Sequence, residues 1–196
     1  MTWVIGITGG IASGKSTIAR MIARRGIPHL DADKLVHRLL AKDKPTIAAI
    51  DKQFPGTVKN GTVDRKALGA AIADRPAKLK QLEQLLHPLV RAAEEEAILL
   101  AGRQRRRAIL LDIPLLFETG AEVLCDVVIA AHAPLPMRKR RALARGMSEA
   151  TIARLVARQL GEAERNRRAD IVIPTTIGKA HTRRVVEALL KRWKLA

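Results

Sequence analysis

Apolar residues fall into two rhythms along this chain. Short, nearly unbroken apolar runs at Trp3 to Thr8, Ile27 to Leu30, Ala108 to Leu111, Asp126 to Ala131 and Ile171 to Ile173 read as buried strands. Between them, apolar positions recur at helical spacing. Ile18, Ala19, Met21 and Ile22 follow the first strand, and Val185, Val186, Leu189 and Leu190 mark a last helix over Lys179 to Lys194. Pro134 to Arg145 and Ser148 to Gln159 read as two helices parted at Gly146, with Ser148 as the cap of the second. Strands alternating with helices predict an α/β domain.

The stretch from 34 to about 105 breaks this alternation. It is mostly helical and too long for one crossover, so it reads as a helical insertion that binds a second substrate, or as packing. Leu79, Leu82, Leu85, Leu86, Leu89, Val90 and Ala93 form its longest stripe, and Pro88 is expected to kink or reset that helix after His87. A turn at Gly61 precedes Asp64, a candidate N-cap. Arg65 and His87 are candidate substrate contacts, against a structural role for a half-buried histidine.

The most specific chemistry lies between the first strand and first helix. Gly9 to Ser16 read Gly-Gly-Ile-Ala-Ser-Gly-Lys-Ser, the pattern G-x-x-x-x-G-K-[ST] in its strand–loop–helix setting. Glycines allow successive N–H groups to turn inward around a phosphate, and the helix adds its positive end. Gly10, Ile11, Ala12, Ser13, Gly14, Lys15, Ser16 and Thr17 are therefore the nucleotide-binding candidates. Lys15 is placed to reach the β- and γ-phosphates of ATP, and Ser16 to hold Mg²⁺.

Carboxylates follow at strand ends, where open parallel sheets bind ligands. Asp112 closes the run Ala108 to Leu111 in the manner of a Walker B strand and is the second Mg²⁺ candidate. Asp31 and Asp33 divide between assisting Mg²⁺ and accepting a proton from an attacking hydroxyl, unless Asp33 only caps a helix starting near Lys34. Pro114, Leu115 and Leu116 belong to an apolar segment that is either a wall of the substrate pocket or core packing.

Composition changes the picture in one respect. With 36 Lys plus Arg against 19 acidic residues, the 196-residue chain carries a formal +17 and a pI near 11.2, which attracts polyanions. Only four aromatic residues, Trp3, Phe54, Phe117 and Trp193, offer a stacking platform, so no specific nucleic-acid partner is expected. The tracts 138–141 and 165–168 instead suit substrate phosphates, whereas 103–107 reads as a solvated helix end. Arg138, Arg140, Arg141 and Arg145 crowd one helix, as a lid that brings positive charge to a transferring phosphoryl group requires. One cysteine, Cys125, lies in an apolar run as core filler and suits a reducing compartment, and no apolar window spans a membrane. A cytoplasmic location without membrane attachment is expected. A guanine-specific switch is disfavoured by the lack of an Asn-Lys-x-Asp run.

Thr8 to Thr17, Asp31-Ala32-Asp33, His87-Pro88 and Asp112 to Glu118 together resemble dephospho-coenzyme A kinase over nearly the whole chain. The resemblance implies a P-loop kinase of the nucleoside-monophosphate kinase type, with a five-stranded parallel sheet flanked by helices, a helical acceptor-binding insertion and a helical lid. It implies a single P-loop kinase domain over 1–196, with its core at about 1–33, 106–132 and 169–196, the acceptor region at 34–105 and the lid at 133–168. The implied reaction moves the γ-phosphate of ATP to the ribose 3′-hydroxyl of dephospho-coenzyme A, with Asp33 as the base or hydroxyl-orienting residue, Arg141 and Arg145 in the lid, and a monomer or small homo-oligomer as the working form. Arg138, where the family usually has Gln, and Pro174-Thr175-Thr176, where Asn or Asp then Gly is common, depart from the pattern near the nucleotide base.

Overall fold

The structure is a computed structural model that describes residues 1–73 and 75–195. It divides into two compact units: Met1–Asp31 with Ala97–Ala196, and Ala32–Glu96.

The first unit is built on a five-stranded parallel sheet. Its strands are β1 (Trp3–Gly9), β2 (His29–Asp31), β5 (Ala108–Asp112), β6 (Val127–His132) and β7 (Ile171–Pro174), ordered β2-β5-β1-β6-β7. Alternate residues of β1, β5, β6 and β7, among them Ile5, Ile7, Leu110, Ile129 and Ile173, face one way. Onto them pack Ile18 and Ile22 of α1 (Lys15–Ala23) and Val186 and Leu190 of α9 (Lys179–Arg192). Full burial of each such side chain contributes about 1.5–3 kcal/mol. Gly6 sits on the opposite face, where a Cβ would come 2.6 Å from Cys125 Sγ and 2.9 Å from Leu116 Cδ1. Cys125 is half-buried and precedes β6. Pro174 ends β7 at the sheet edge, where its missing N–H costs no ladder bond. The amino ends of two strands are fastened by side chains: Asp126 accepts from Val4 N (2.8 Å) and Asp170 from Val128 N (2.7 Å).

Helices α6 (Leu135–Leu143) and α7 (Glu149–Ala157) match the expected pair, and Ser148 caps α7 by accepting from Thr151 N. A third helix, α8 (Glu162–Arg168), was not legible, because Glu-Ala-Glu-Arg-Asn-Arg-Arg carries no apolar stripe. No helix among the described residues is long and apolar enough to cross a membrane.

The second unit has its own small core of Leu40, Ile47, Ile50, Phe54, Val63, Leu68, Leu82 and Leu86. These come from α2 (Ala32–Lys42), α3 (Lys44–Gln53), α4 (Arg65–Ile72), α5 (Pro76–Arg103) and the antiparallel pair β3 (Val58–Lys59) and β4 (Thr62–Val63). Asn60 and Gly61, at φ +49° and +71°, turn that hairpin. Asp64 caps α4 by accepting from Lys66 N and Ala67 N. Two expectations are corrected. Helix α5 is not reset at Pro88 but continues as one helix, because the proline removes only the bond to the Gln84 carbonyl, at a stretch where Gln84, His87 and Pro88 are exposed to water. Helix α2 begins at Ala32, so Asp33 lies in its first turn rather than at the cap.

Candidate active site

The sheet unit assembles the phosphate loop at the carboxyl end of β1. Ala12 (φ +56°) and Gly14 (φ +100°) are both left-handed, and alternating backbone of this kind turns N–H groups toward a common centre. Glycine is required at 14 on a second count, since a Cβ there would stand 2.9 Å from Thr175 Cγ2. The amides of Lys15 and Ser16 open helix α1, whose first N–H groups have no acceptor within the helix. Ser16 is exposed in that first turn.

Lys15 closes the loop on β5 by an ion pair and hydrogen bond from Nζ to Asp112 Oδ1. Asp112 is only 3% exposed, opposite Ile7 on β1 and Asp31 on β2. Its second oxygen, Oδ2, faces His29 Nε2 at 3.4 Å. Burial pushes the Asp112 carboxyl up, but the imidazole of His29 and the ammonium of Lys15 outweigh it and hold the group below the ordinary carboxylate range. The carboxylate is therefore ionised at neutral pH. With the Ser16 hydroxyl it offers the hard oxygen donors that Mg²⁺ takes.

Other side chains brace the loop, and the sequence did not single out Glu162 among them. Thr175 Oγ1 donates to Ser13 O at 2.5 Å. Arg141 donates through Nη1 to Thr175 Oγ1 (3.0 Å) and through Nη2 to Thr175 O (2.7 Å), with Ala12 O at 3.5 Å from Nη1. Gln159 Oε1 accepts from Ile11 N at 2.9 Å. Arg138, 5% exposed, donates to Ala133 O and to Glu162, and its Nη1 would lie 2.2 Å from a Cβ at Gly10. Arg165 is also buried and donates to Leu160 O at 3.0 Å. Arg167 pairs with Glu164, while Arg168 pairs with Glu122 and lies over the Phe117 ring. Those two side chains of the 165–168 tract are thus spent on protein groups. Arg145 is exposed beyond the end of α6.

The apolar segment after β5 divides. Leu116 is fully buried beneath Gly6, which removes it from any pocket wall, whereas Pro114 and Leu115 keep partial exposure. In the helical unit Asp33, Arg65 and His87 are all exposed, and His87 is not the half-buried residue considered from sequence.

A P-loop whose lysine meets a buried strand-end aspartate belongs to many nucleotide-hydrolysing and nucleotide-transferring proteins, and the comparisons narrow the choice. The family model for dephospho-CoA kinase matches residues 3–179. The chain belongs to the dephospho-CoA kinase family. It is 43% identical over 201 residues to the dephospho-CoA kinase of Rhodospirillum rubrum, covering 97% of this chain and 95% of that one. It is 42% identical over 198 residues to that of Gluconobacter oxydans, covering 98% of each. Among solved structures it resembles TT1252 from Thermus thermophilus (36% identity, TM-score 0.83, 97% of each chain). It also resembles the dephospho-CoA kinase from Campylobacter jejuni (25% identity, TM-score 0.68, 96% of each chain). A shikimate kinase from Acinetobacter baumannii, 18% identical with TM-score 0.52, shares the P-loop kinase fold. Membership of a kinase family makes ATP the phosphoryl donor.

Proposed function

We propose that this chain transfers the γ-phosphate of ATP to the ribose 3′-hydroxyl of dephospho-coenzyme A, giving coenzyme A and ADP as the last step of coenzyme A synthesis. The observation that carries the reading is the Lys15–Asp112 pair at the mouth of the phosphate loop, in a chain of this family. The loop amides and the α1 terminus bind the β- and γ-phosphates, and Lys15 exchanges part of its contact with Asp112 for phosphate oxygen as charge develops there. Ser16 and Asp112 hold Mg²⁺, which when bound neutralises charge on the transferring group. Asp33 accepts or orients the proton of the attacking hydroxyl. Arg141, through Thr175 and the Ala12 carbonyl, sets the loop's shape, and Arg145 adds positive charge when the 133–168 segment acts as a lid.

The unit 32–96 is the acceptor-binding part in this reading, with Arg65 and His87 as contacts and Pro114 and Leu115 as the apolar wall. The exposed side chains of Arg65 on α4 and His87 on α5 suit an acceptor that carries its own phosphates. ADP release measured with dephospho-coenzyme A beside adenosine, shikimate and no acceptor tests the proposal. Turnover confined to dephospho-coenzyme A is expected, and equal ADP release with every acceptor would overturn it.

A further inference from the structure

At the carboxyl ends of β2 and β5, Asp112 stands together with two side chains to which phosphoryl transfer assigns no part, His29 and Asp31. His29 and Asp31 are two residues apart on one strand and so share a face, and the register sets Asp31 opposite Asp112. One ligating atom from each of His29, Asp31 and Asp112 lies within 4.8 Å of the other two. The two Asp112 oxygens are divided between partners, Oδ1 to Lys15 and Oδ2 toward His29 Nε2. That Nε2 is buried and makes no hydrogen bond, the 3.4 Å approach to Oδ2 lacking the required geometry. A desolvated ring nitrogen aimed at a carboxylate oxygen without a bond between them is costly, and a cation bonded to both removes the cost.

We infer that His29, Asp31 and Asp112 form a site for a borderline divalent cation of the Zn²⁺ type, filled without nucleotide and selective against Mg²⁺. Zn²⁺ bonds imidazole nitrogen and carboxylate oxygen at about 2.0–2.2 Å in tetrahedral geometry, so two of its ligands stand about 3.3–3.6 Å apart. Rotations of the side chains that close the 4.8 Å spread by about an ångström or a little more bring the three atoms to that separation. Mg²⁺ keeps its waters and prefers an all-oxygen shell, and the imidazole discriminates against it. Lys15 remains on Oδ1 while the cation takes Oδ2, so the site and the lysine pair coexist. This site goes beyond phosphoryl transfer and stands or falls separately from the choice of acceptor.

The test uses the full, tag-free, nucleotide-free chain dialysed against Zn²⁺ in excess Mg²⁺, with metal content measured by elemental analysis. A parallel sample loaded with Co²⁺ is read by its visible ligand-field absorption. Retention of about one Zn²⁺ per chain is expected, with at least about a tenfold loss of affinity in His29→Ala and in Asp31→Asn, and loss of the Co²⁺ band in both. If His29→Ala fails to fold by far-UV dichroism, His29→Gln carries the same expectation. Zn²⁺ that is washed out by Mg²⁺, or retained equally when the imidazole is removed, overturns the inference. Because no nucleotide or acceptor is present, failure here leaves the ADP-release result untouched, and the reverse also holds.

Discussion

In the sheet unit Lys15, Asp112, Arg138 and Arg141 are held by named protein groups, while in the helical unit Asp33, Arg65 and His87 stand exposed on their helices. The difference lies in burial. A desolvated charge is tolerable only when paired, so the phosphate end of the site is built before any ligand arrives and its geometry is set by folding. Arg65 and His87 of the helical unit stand in water, and an arriving acceptor must supply their order. Substitutions in the first region, and of Asp33 at the start of α2, should therefore act on turnover, and those of Arg65 and His87 on what is accepted.

Lys15→Ala is expected to do most. Removing a preorganised cation at the transferring phosphate should lower kcat by at least about 10²-fold, with far-UV dichroism unchanged. Wild-type turnover would show that the lysine on Asp112 is only a fold contact. Asp33→Asn comes next. It keeps a polar side chain in the first turn of α2 but cannot accept a proton, so a fall of about ten- to a hundredfold in kcat with unaltered ATP binding is expected. Full activity at unchanged stability would remove Asp33 from the reaction.

Leu116→Ala separates core from pocket. The side chain is fully buried under Gly6, so the substitution should cost about 2–5 kcal/mol of stability while leaving the KM for the acceptor little changed. A raised KM with an unshifted melting temperature would return Leu116 to the pocket wall. The smallest effect belongs to Asp64. Its hydrogen bonds with Lys59 and with the amides of Ala67 and Lys66 lower its pKa from 3.8 to about 2, because they favour the ionised form. A depressed folded-state pKa gives a contribution that is complete above the unfolded value and is lost as pH falls through the folded one. The difference in Tm between wild type and Asp64→Ala should thus be full at pH 6 and shrink between about pH 4 and 2. A difference that stays constant over that range would show that the cap does not depend on the charge.

Legibility from sequence followed the same division. The five sheet strands and the phosphate loop were readable because buried strands are continuous apolar runs and the loop needs fixed glycines at fixed spacing. The apolar residues of the helical unit were readable as a stripe, yet the β3–β4 hairpin was passed over although Val58-Lys59-Asn60-Gly61-Thr62-Val63 carries the Asn-Gly signal for it. Pro88 misled because the rule against proline in helices weighs one lost bond more heavily than the packing on either side of it. Gln159 was readable only as a match to the family and Thr175 only as part of a departure from it, while His29 left no signature of its own, because each acts on a residue more than eighty positions away. Arg138 was legible as a lid arginine and as a departure from a family pattern but not as a buried residue, since its place against Gly10 depends on Glu162 from a helix with no apolar periodicity.

The most direct test of the whole account is the identity of the phosphorylated product. Purified protein incubated with ATP, Mg²⁺ and dephospho-coenzyme A is followed by ³¹P NMR and by mass, with Lys15→Ala as the blank. One new phosphomonoester on the ribose 3′-oxygen, formed in equal amount with ADP and missing from the Lys15→Ala sample, is the predicted result. ADP without a phosphorylated acceptor, or phosphate on any other hydroxyl, would contradict it.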